Sequence, residues 1–239
     1  MSEHHTVRSY DEALHQLRSM ITQMGGLAEA QLNGAIEAMV SRNEDRSREI
    51  IAADKTIDKL DQDAETMAIN LIALRAPLAD DLREIVGALK ISSILERIGD
   101  YAKNIAKRSI ALNHSKPVQP AVILPQMADH ARVMLKEVLD SYIDRDSKKA
   151  VAVRDSDQAI DDLYNSLFRE LLTYMMENPG LITPCTHLLF IAKNIERIGD
   201  HITNVAEIVY YLVEGRNLDL ERPKSDETSF TTVKPPEQE

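Results

Sequence analysis

Glu-Arg-Ile-Gly-Asp stands at residues 96–100 and again, unchanged, at residues 196–200, an offset of 100 residues. Each copy is followed four residues later by an asparagine, Asn104 in the first and Asn204 in the second. A match that extends into its flank at the same spacing indicates an internal repeat, and repeats constrain the fold more than any single residue does. Each repeat unit is therefore about 100 residues long.

A second pair of motifs lies upstream of the first. Residues 54–58 read Asp-Lys-Thr-Ile-Asp, and residues 157–161 read Asp-Gln-Ala-Ile-Asp, at an offset of 103 residues. Two motifs in the same order at nearly the same offset are not expected by chance. The chain is therefore predicted to be an internal duplication.

The composition favours long helices over sheets. The 239 residues are 44% hydrophobic and 28% charged, with no Trp, three Phe and eight Gly. Sheet-rich domains draw on aromatic and β-branched residues, whereas Ala, Leu, Met, Glu, Lys and Arg are strong helix formers. We predict an all-α chain.

Six helical stretches divide equally between the repeats: 9–41, 44–75 and 79–112 in the first, and 121–143, 147–177 and 183–214 in the second. Pro77 marks one break, because a proline disfavours helix at the residue before it, and Asn-Pro-Gly at 178–180 marks another. Long helices with short connections form antiparallel bundles. We predict two tandem three-helix bundles, with domains at 8–115 and 118–215 and a disordered tail at 216–239.

Charge and cysteine usage restrict the function classes. The formal net charge of −11 disfavours direct nucleic-acid binding, because a phosphate backbone requires a positive surface. Cys185 is the only cysteine, so an intrachain disulfide is impossible and a reducing compartment is the default. No stretch approaches the ~20 apolar residues that a membrane-crossing helix needs. We expect a cytoplasmic protein.

Carboxylates recur at helical spacing in each repeat. Glu96, Asp100 and Asn104 are four residues apart, which stacks them on one face of a helix opposite its apolar residues. The second repeat places Glu196 and Asp200 in the same way. We therefore predict that these acids face outward, away from the bundle core.

A second acidic pair lies on the preceding helix of each repeat, Asp54 and Asp58 in the first and Asp157 and Asp161 in the second. If the two helices are neighbours, four carboxylates lie together, and their mutual repulsion raises their pKa values unless a cation neutralises them. Hard oxygen ligands suit Mg²⁺, Mn²⁺, Ca²⁺ or iron. The alternative is an ordinary solvated helix face, and the sequence leaves both open.

Gly99 and Gly199 lie in the middle of these helices, where glycine costs about 1 kcal/mol relative to alanine. The presence of glycine in both copies indicates that something approaches the backbone closely. That neighbour is either another helix or a bound ion.

The doubled Glu-Arg-Ile-Gly-Asp-x-x-x-Asn motif resembles the PhoU family. Met-Gly-Gly at 24–26, Asp-Leu-Arg at 81–83 and Tyr-Met-Met-Glu at 174–177 extend the resemblance, which covers about residues 8–215. The resemblance implies a pair of three-helix bundles that often dimerises. It also implies a non-enzymatic negative regulator of the phosphate regulon, which connects the ATPase subunit of the phosphate ABC transporter to a sensor histidine kinase and so controls phosphate uptake and homeostasis.

Metal binding by the acidic motifs is a further implication of the resemblance. Carried over residue by residue, the metal ligands are Asp54, Asp58, Glu96 and Asp100 in the first repeat and Asp157, Asp161, Glu196 and Asp200 in the second. The metal varies within the family, so magnesium, manganese, iron and zinc all remain open.

Two other functions compete with this one. A ferritin-like di-metal carboxylate enzyme needs inward-facing acids and two Glu-x-x-His motifs, whereas this chain has one such spacing, Glu12 to His15. A purely structural helical adaptor shares the fold and the cellular role but binds no metal. His201 is a candidate extra ligand beside Asp200, although Tyr101 at the equivalent position favours a surface histidine.

Overall fold

The structure is a computed structural model that describes residues 2–218 and residue 228. Among these residues there are seven α-helices and no strand. The helices are α1 (Ser2–Val40), α2 (Glu44–Arg75), α3 (Ala79–Leu112), α4 (Ile123–Asp144), α5 (Ser147–Ser156), α6 (Gln158–Glu177) and α7 (Ile182–Glu214). The all-α prediction is confirmed. The predicted tail at 216–239 lies outside the described residues, except for 216–218 and 228.

Local chemistry sets the ends of the helices. α2 begins after Asn43, whose side chain accepts a hydrogen bond from the Arg46 N–H, and α5 begins after Asp146, which accepts from two N–H groups. α2 ends at Arg75, and the capping residue after it, Ala76, adopts a left-handed conformation with φ 45° just before Pro77. The predicted bounds 44–75 and 79–112 are those of the structure.

The predicted helix at 147–177 is interrupted. α5 and α6 are separated at Asp157, whose carbonyl accepts from the Ile160 N–H at 2.9 Å and from the Asp161 N–H at 3.3 Å. The bond to Ile160 is the tighter three-residue type, which replaces the regular helical ladder for one turn. The prediction of one continuous helix is wrong at this residue. Asp157 is also one of the predicted metal ligands.

Two bundles pack side by side. α1, α2 and α3 contact one another, while α4 contacts α5 and α6 and all three contact α7; one buried apolar core runs through both bundles. α3 and α7 form the centre of the molecule, because they contact each other as well as the helices of their own bundles. Their apolar stripes are fully buried: Ile91, Leu95, Ile98, Ala102 and Ile105 on α3, and Ile191, Ile195, Ile198, Ile202 and Val205 on α7.

The central helices run antiparallel. Near one end of their contact, which we call the α3–α7 seam, Gly87 packs against Leu212, and near the other Arg108 lies over the ring of Phe190. At the middle Tyr101 stacks on His201, with ring centroids 5.5 Å apart. These two residues occupy equivalent positions in the repeats, so an approximate twofold axis passes between them. α1 contacts α4 across one side of the seam, so the solvent-exposed residues of the seam lie on the other side.

An ion-pair cluster joins the bundles on the covered side. Glu84 of α3 is buried and forms ion pairs with Arg18 of α1 and, at 3.1 Å, with Arg145 at the end of α4. The Arg145 guanidinium also donates to the Leu212 carbonyl of α7 at 3.4 Å. We call these residues the Glu84 cluster.

Candidate metal centre

The first acidic cluster lies between α2 and α3. Asp54 is buried, with 3% of its surface exposed, whereas Asp58, Glu96 and Asp100 are half-buried. Lys103, one turn after Asp100, donates hydrogen bonds to Asp54 and, at 2.6 Å, to Asp100. A lysine ammonium therefore bridges the two helices through two of the predicted ligands.

The electrostatics of this cluster follow from burial and crowding. Burial raises the pKa of Asp54 above its usual range, although Lys103 opposes the shift. Burial also raises the pKa of Glu96, and the negative charges of Asp100 and Asp58 add to the effect. Lys103 is stabilised in its charged form: burial acts to lower its pKa, but the bonds to Asp100 and Asp54 raise it overall. In both Asp54 and Glu96 the neighbouring carboxylates contribute to the raised pKa, as predicted, but burial is the larger cause.

The second acidic cluster lies between α7 and the α5–α6 junction. Asp157, Asp161 and Glu196 are almost fully buried, at 1%, 2% and 4% exposure, and Asp200 is half-buried. Lys193 forms an ion pair with Glu196 at 2.9 Å. Each cluster thus contains a lysine, but the two lysines occupy different positions in their repeats.

The motif glycines lie against the acids of the neighbouring helix. A Cβ atom on Gly99 would lie 3.1 Å from Ile57 and 3.5 Å from Asp54. A Cβ atom on Gly199 would lie 3.1 Å from Ile160, the counterpart of Ile57, and under 3.0 Å from Asp157. The predicted close approach is confirmed in both repeats, and the neighbour is a helix.

The predicted outward orientation of the acids is wrong for Glu196 and is only partly met by the other three. Glu196 is buried, and Glu96, Asp100 and Asp200 are half-buried; of the residues assigned to this face, Asn204 is exposed. The reason is the central position of α3 and α7, each of which contacts helices on several sides, so that the polar face is covered by α2 or by α5 and α6. Amphipathic spacing shows which residues share a face, but not how many neighbours cover the helix.

The sequence analysis missed two residues of the first cluster. Gln31 of α1 is buried at 4% exposure, its carbonyl oxygen would lie 3.1 Å from a Cβ on Gly99, and neither of its amide atoms has a hydrogen-bond partner in the described part of the chain. It is a polar residue in an otherwise apolar stripe, which is a signal that sequence reading can detect. Lys103 has a weaker signal, the three-residue spacing from Asp100.

The donor chemistry of both clusters fits a hard divalent cation. Both clusters offer carboxylate oxygens, and the first adds raised pKa values at Asp54 and Glu96 and the unpaired amide oxygen of Gln31, which are groups that such a cation stabilises. The side chains are not arranged around a single point, however: within residues 2–218 and 228, no group of three or more His, Cys, Asp or Glu could hold a metal ion as it stands. Binding therefore requires side-chain movement, including release of Lys103 in the first cluster.

In the part of the chain that the structure describes, neither His201 nor His15 forms a metal-ligand group with these acids. His201 is half-buried and stacks on Tyr101, so its predicted surface position is wrong. Burial lowers the pKa of His201, and the neighbouring charges of Arg97 and Arg197 lower it further. Glu12 and His15 are both exposed, so the single Glu-x-x-His spacing does not face a bundle core as a ferritin-like site requires.

In the part of the chain that the structure describes, no helix combines the length and the apolarity needed to cross a membrane.

The family model described as the PhoU domain matches this chain twice, over residues 21–109 and 124–209. The chain belongs to the PhoU family. Both matches contain a copy of the Glu-Arg-Ile-Gly-Asp motif and the acidic pair that precedes it. The family resemblance drawn from the sequence is thereby confirmed.

Relatives of this PhoU-family chain carry the same family name. It is 51% identical to a phosphate-specific transport system accessory protein PhoU homolog of Zymomonas mobilis, over 90% of each chain. It is 49% identical to the protein of that name from Rhizobium meliloti, over 96% of this chain and 97% of the relative. The crystal structure of PhoU from Pseudomonas aeruginosa superposes with a TM-score of 0.84 at 33% identity, covering 87% of this chain and all of the other.

Proposed function

We propose that this chain is a negative regulator of the phosphate regulon, linking the phosphate ABC transporter to a sensor histidine kinase. Membership of the PhoU family over both repeats is the observation that carries the proposal, and a role in the regulation of phosphate transport follows from it. In this proposal the protein acts in the cytoplasm as a homodimer. Its partners are the ATPase subunit of the transporter and the cytoplasmic region of the kinase.

The mechanism proposed is that of a rigid adaptor. The repeats, taken as residues 8–115 and 118–215, share the continuous core of α3 and α7, so a contact made on one repeat is held at a fixed position relative to the other. A partner can alter the kinase only if the adaptor binds its active and inactive states with unequal affinity. We infer that the adaptor favours the inactive state when phosphate is plentiful.

Deletion of the gene tests this role. In phosphate-rich medium the deletion strain is expected to express a phosphate-regulon reporter at its starvation level, and a plasmid copy of the gene is expected to restore repression. Normal repression in the deletion strain would contradict the proposal. Deletion of the kinase gene in the same strain is the control, because it should return the reporter to a low level if the signal passes through the kinase.

Each acidic cluster is proposed to hold a divalent cation. Asp54, Asp58, Glu96 and Asp100 would hold one ion or cluster of ions in the first repeat, and Asp157, Asp161, Glu196 and Asp200 would hold the other. When bound, the cation supplies positive charge that offsets repulsion among the carboxylates and ties adjacent helices together. The chain's own contribution is to hold the acids on two packed helices at the motif glycine, where the helix backbones can come close.

Elemental analysis tests the cation sites. The untagged protein is expected to contain stoichiometric metal, and the Asp100→Ala/Asp200→Ala variant is expected to lose most of it while its circular-dichroism helicity persists. Absence of metal from the wild-type protein, even after incubation with Mn²⁺, Mg²⁺, Fe²⁺ and Zn²⁺, would contradict metal binding. Asp45→Ala/Asp63→Ala, two exposed acids of α2, is the matched control.

An adaptor without metal is the second candidate. It is favoured by Lys103, which already pairs with both Asp54 and Asp100, and by the absence within residues 2–218 and 228 of a side-chain group arranged to hold a metal. In that case the acidic clusters are structural ion pairs. Thermal unfolding with and without a chelator separates the candidates, because a chelator is expected to leave the melting temperature of a metal-free adaptor unchanged.

A further inference from the structure

The open side of the α3–α7 seam carries a row of basic side chains. Arg83, Lys90, Arg97 and Arg108 lie along α3, and Arg197 lies at the centre of α7. We call these five residues the basic seam. They stand out in a chain whose formal net charge is −11.

Contacts between α3 and α7 place these residues on one line. A groove with a volume of about 640 Å³ is lined by α3 and α7 residues together with Asn217, and includes Arg83 and Lys90. At the centre, Arg197 lies 5.9 Å from the ring of Tyr101, and Arg97 is close enough to His201 to influence its pKa. At the far end, Arg108 lies 4.0 Å from the ring of Phe190.

The central arginines are available to a ligand. Arg97 and Arg197 are both exposed, and neither forms an ion pair with a residue of the described chain. Arg197 and Arg108 rest on aromatic rings, which leaves the edges of their guanidinium groups to donate hydrogen bonds outward. Among the described residues, acidic side chains near the seam include Asp80, which bonds to Arg83, and Glu207, which lines the groove, while Asp200 acts on His201 at the centre.

The length of the seam decides what kind of ligand it fits. Arg83 and Arg108 are 25 residues apart on one continuous helix, so the basic row spans about 38 Å at 1.5 Å per residue. A small anion reaches only the few side chains around it. An elongated acidic chain can reach all of them, and nucleic acid is disfavoured because the rest of the molecule would repel it.

We propose that the basic seam is a docking surface for an acidic segment of a partner protein. Electrostatic complementarity supplies the attraction, and the exposed Phe190 and Tyr211 offer apolar contacts at either end. The inference goes beyond the proposed function, because it concerns basic residues that are not among the eight proposed metal ligands, and its test is made in EDTA. Failure of the docking test therefore leaves the regulatory and metal proposals standing.

Fluorescence anisotropy with a fluorescein-labelled peptide of about 12 glutamates, which spans the seam in extended form, tests the proposal. The wild-type protein is expected to bind the peptide and to lose affinity as salt is raised from ~0.05 to ~0.3 M. Arg97→Gln/Arg197→Gln is expected to bind about tenfold more weakly. Arg46→Gln/Arg48→Gln, which removes two exposed arginines of α2, is expected to stay within about twofold of the wild type.

Four results would overturn the proposal. One is equal affinity of the seam variant and the α2 control variant for the peptide. A second is displacement of the peptide by orthophosphate at matched charge, which would make the seam a small-anion site. A third is tighter binding of a single-stranded oligodeoxynucleotide of matched charge. The fourth is a change in oligomeric state of the seam variant, measured by light scattering, which would make a second copy of this chain the occupant.

The location of the docking surface is tested with the wild-type protein, so the result does not depend on the folding of a variant. A benzophenone group at one end of the polyglutamate peptide is activated by light, and attachment sites are mapped by mass spectrometry. Attachment to exposed residues of α3 and α7 is expected. Attachment confined to the other helices would contradict docking at the seam.

Discussion

At the scale of single residues, Gly199 is the glycine at which an added Cβ atom would make the closest contact. A Cβ atom there would lie under 3.0 Å from the buried carboxylate of Asp157, whereas a Cβ atom on Gly99 meets the end of the flexible Gln31 side chain at 3.1 Å. We expect Gly199→Ala to lower the free energy of unfolding by about 1–2 kcal/mol, because overpacking costs more than the gain in helix propensity. Urea denaturation measures the loss.

Gly99→Ala is the matched control for that substitution. Its free energy of unfolding is expected to change by less than about 0.5 kcal/mol, since a small movement of Gln31 makes room and alanine favours the helix. Equal destabilisation by the two substitutions would show that the repeats are packed more alike than their contacts indicate.

The charge on Glu96 leads to a prediction about pH. Burial and the neighbouring acids raise the pKa of Glu96 in the folded protein. The contribution of Glu96 to the free energy of folding is therefore favourable below the ordinary glutamate pKa of about 4.3 and is lost as the pH rises through the raised value. Glu96→Gln is therefore expected to stabilise the metal-free protein at pH 7. Because Glu96 is half-buried and partly screened by solvent, the gain should be below about 1 kcal/mol.

Urea denaturation in EDTA at pH 7 and at pH 4 checks the prediction. The stabilisation should shrink at pH 4, where the wild-type carboxyl is protonated for much of the time. Glu65→Gln, at an exposed position on α2, should have little effect at either pH. A less stable Glu96→Gln variant at pH 7 would mean that the charge is compensated within the cluster.

At the scale of helices, Ala76 is strained where α2 ends. It is a non-glycine residue with φ 45°, in the left-handed region that glycine occupies without a steric penalty. We expect Ala76→Gly to raise the free energy of unfolding by about 0.5–1 kcal/mol. Ala52→Gly, at an exposed position inside α2, is the control and should lower it by about 1 kcal/mol. Melting temperatures that shift in the same direction in Ala76→Gly and Ala52→Gly would contradict this account.

The helices could be predicted from the sequence because their signals are local. Pro77 and the Asn-Pro-Gly turn end their helices through backbone chemistry that operates without the rest of the fold. The break at Asp157 could not be found in that way, since no proline or glycine marks it. The burial of the acids depends on which helices cover α3 and α7, and this is set by the packing of the two bundles.

At the scale of the whole molecule, the Glu84 cluster is a polar link between the bundles. One buried carboxylate holds Arg18 of the first bundle and Arg145 of the second. We expect Glu84→Gln to lower the free energy of unfolding by about 1–3 kcal/mol, because two charge-assisted hydrogen bonds lose their charged acceptor. The denaturant m-value is expected to fall as well, since weaker coupling lets the bundles unfold less cooperatively.

Glu49→Gln is the control for the Glu84 substitution. Glu49 pairs with Arg46 at 2.8 Å, but both side chains are exposed, so the pair should contribute less than about 1 kcal/mol. An unchanged m-value in Glu84→Gln would show that the apolar contact between α3 and α7 couples the bundles without help from the ion pairs.

Tyr101 and His201 lie opposite each other at the approximate twofold axis, an arrangement that a dimer of two identical subunits cannot have. A symmetric dimer of single repeats must place the same side chain on both sides of its axis, whereas one polypeptide can place a phenol opposite an imidazole. The same freedom gives Lys103 a threonine, Thr203, as its counterpart. Because the two repeats lie in one chain and differ in sequence, equivalent positions on the two sides of the molecule can present different side chains.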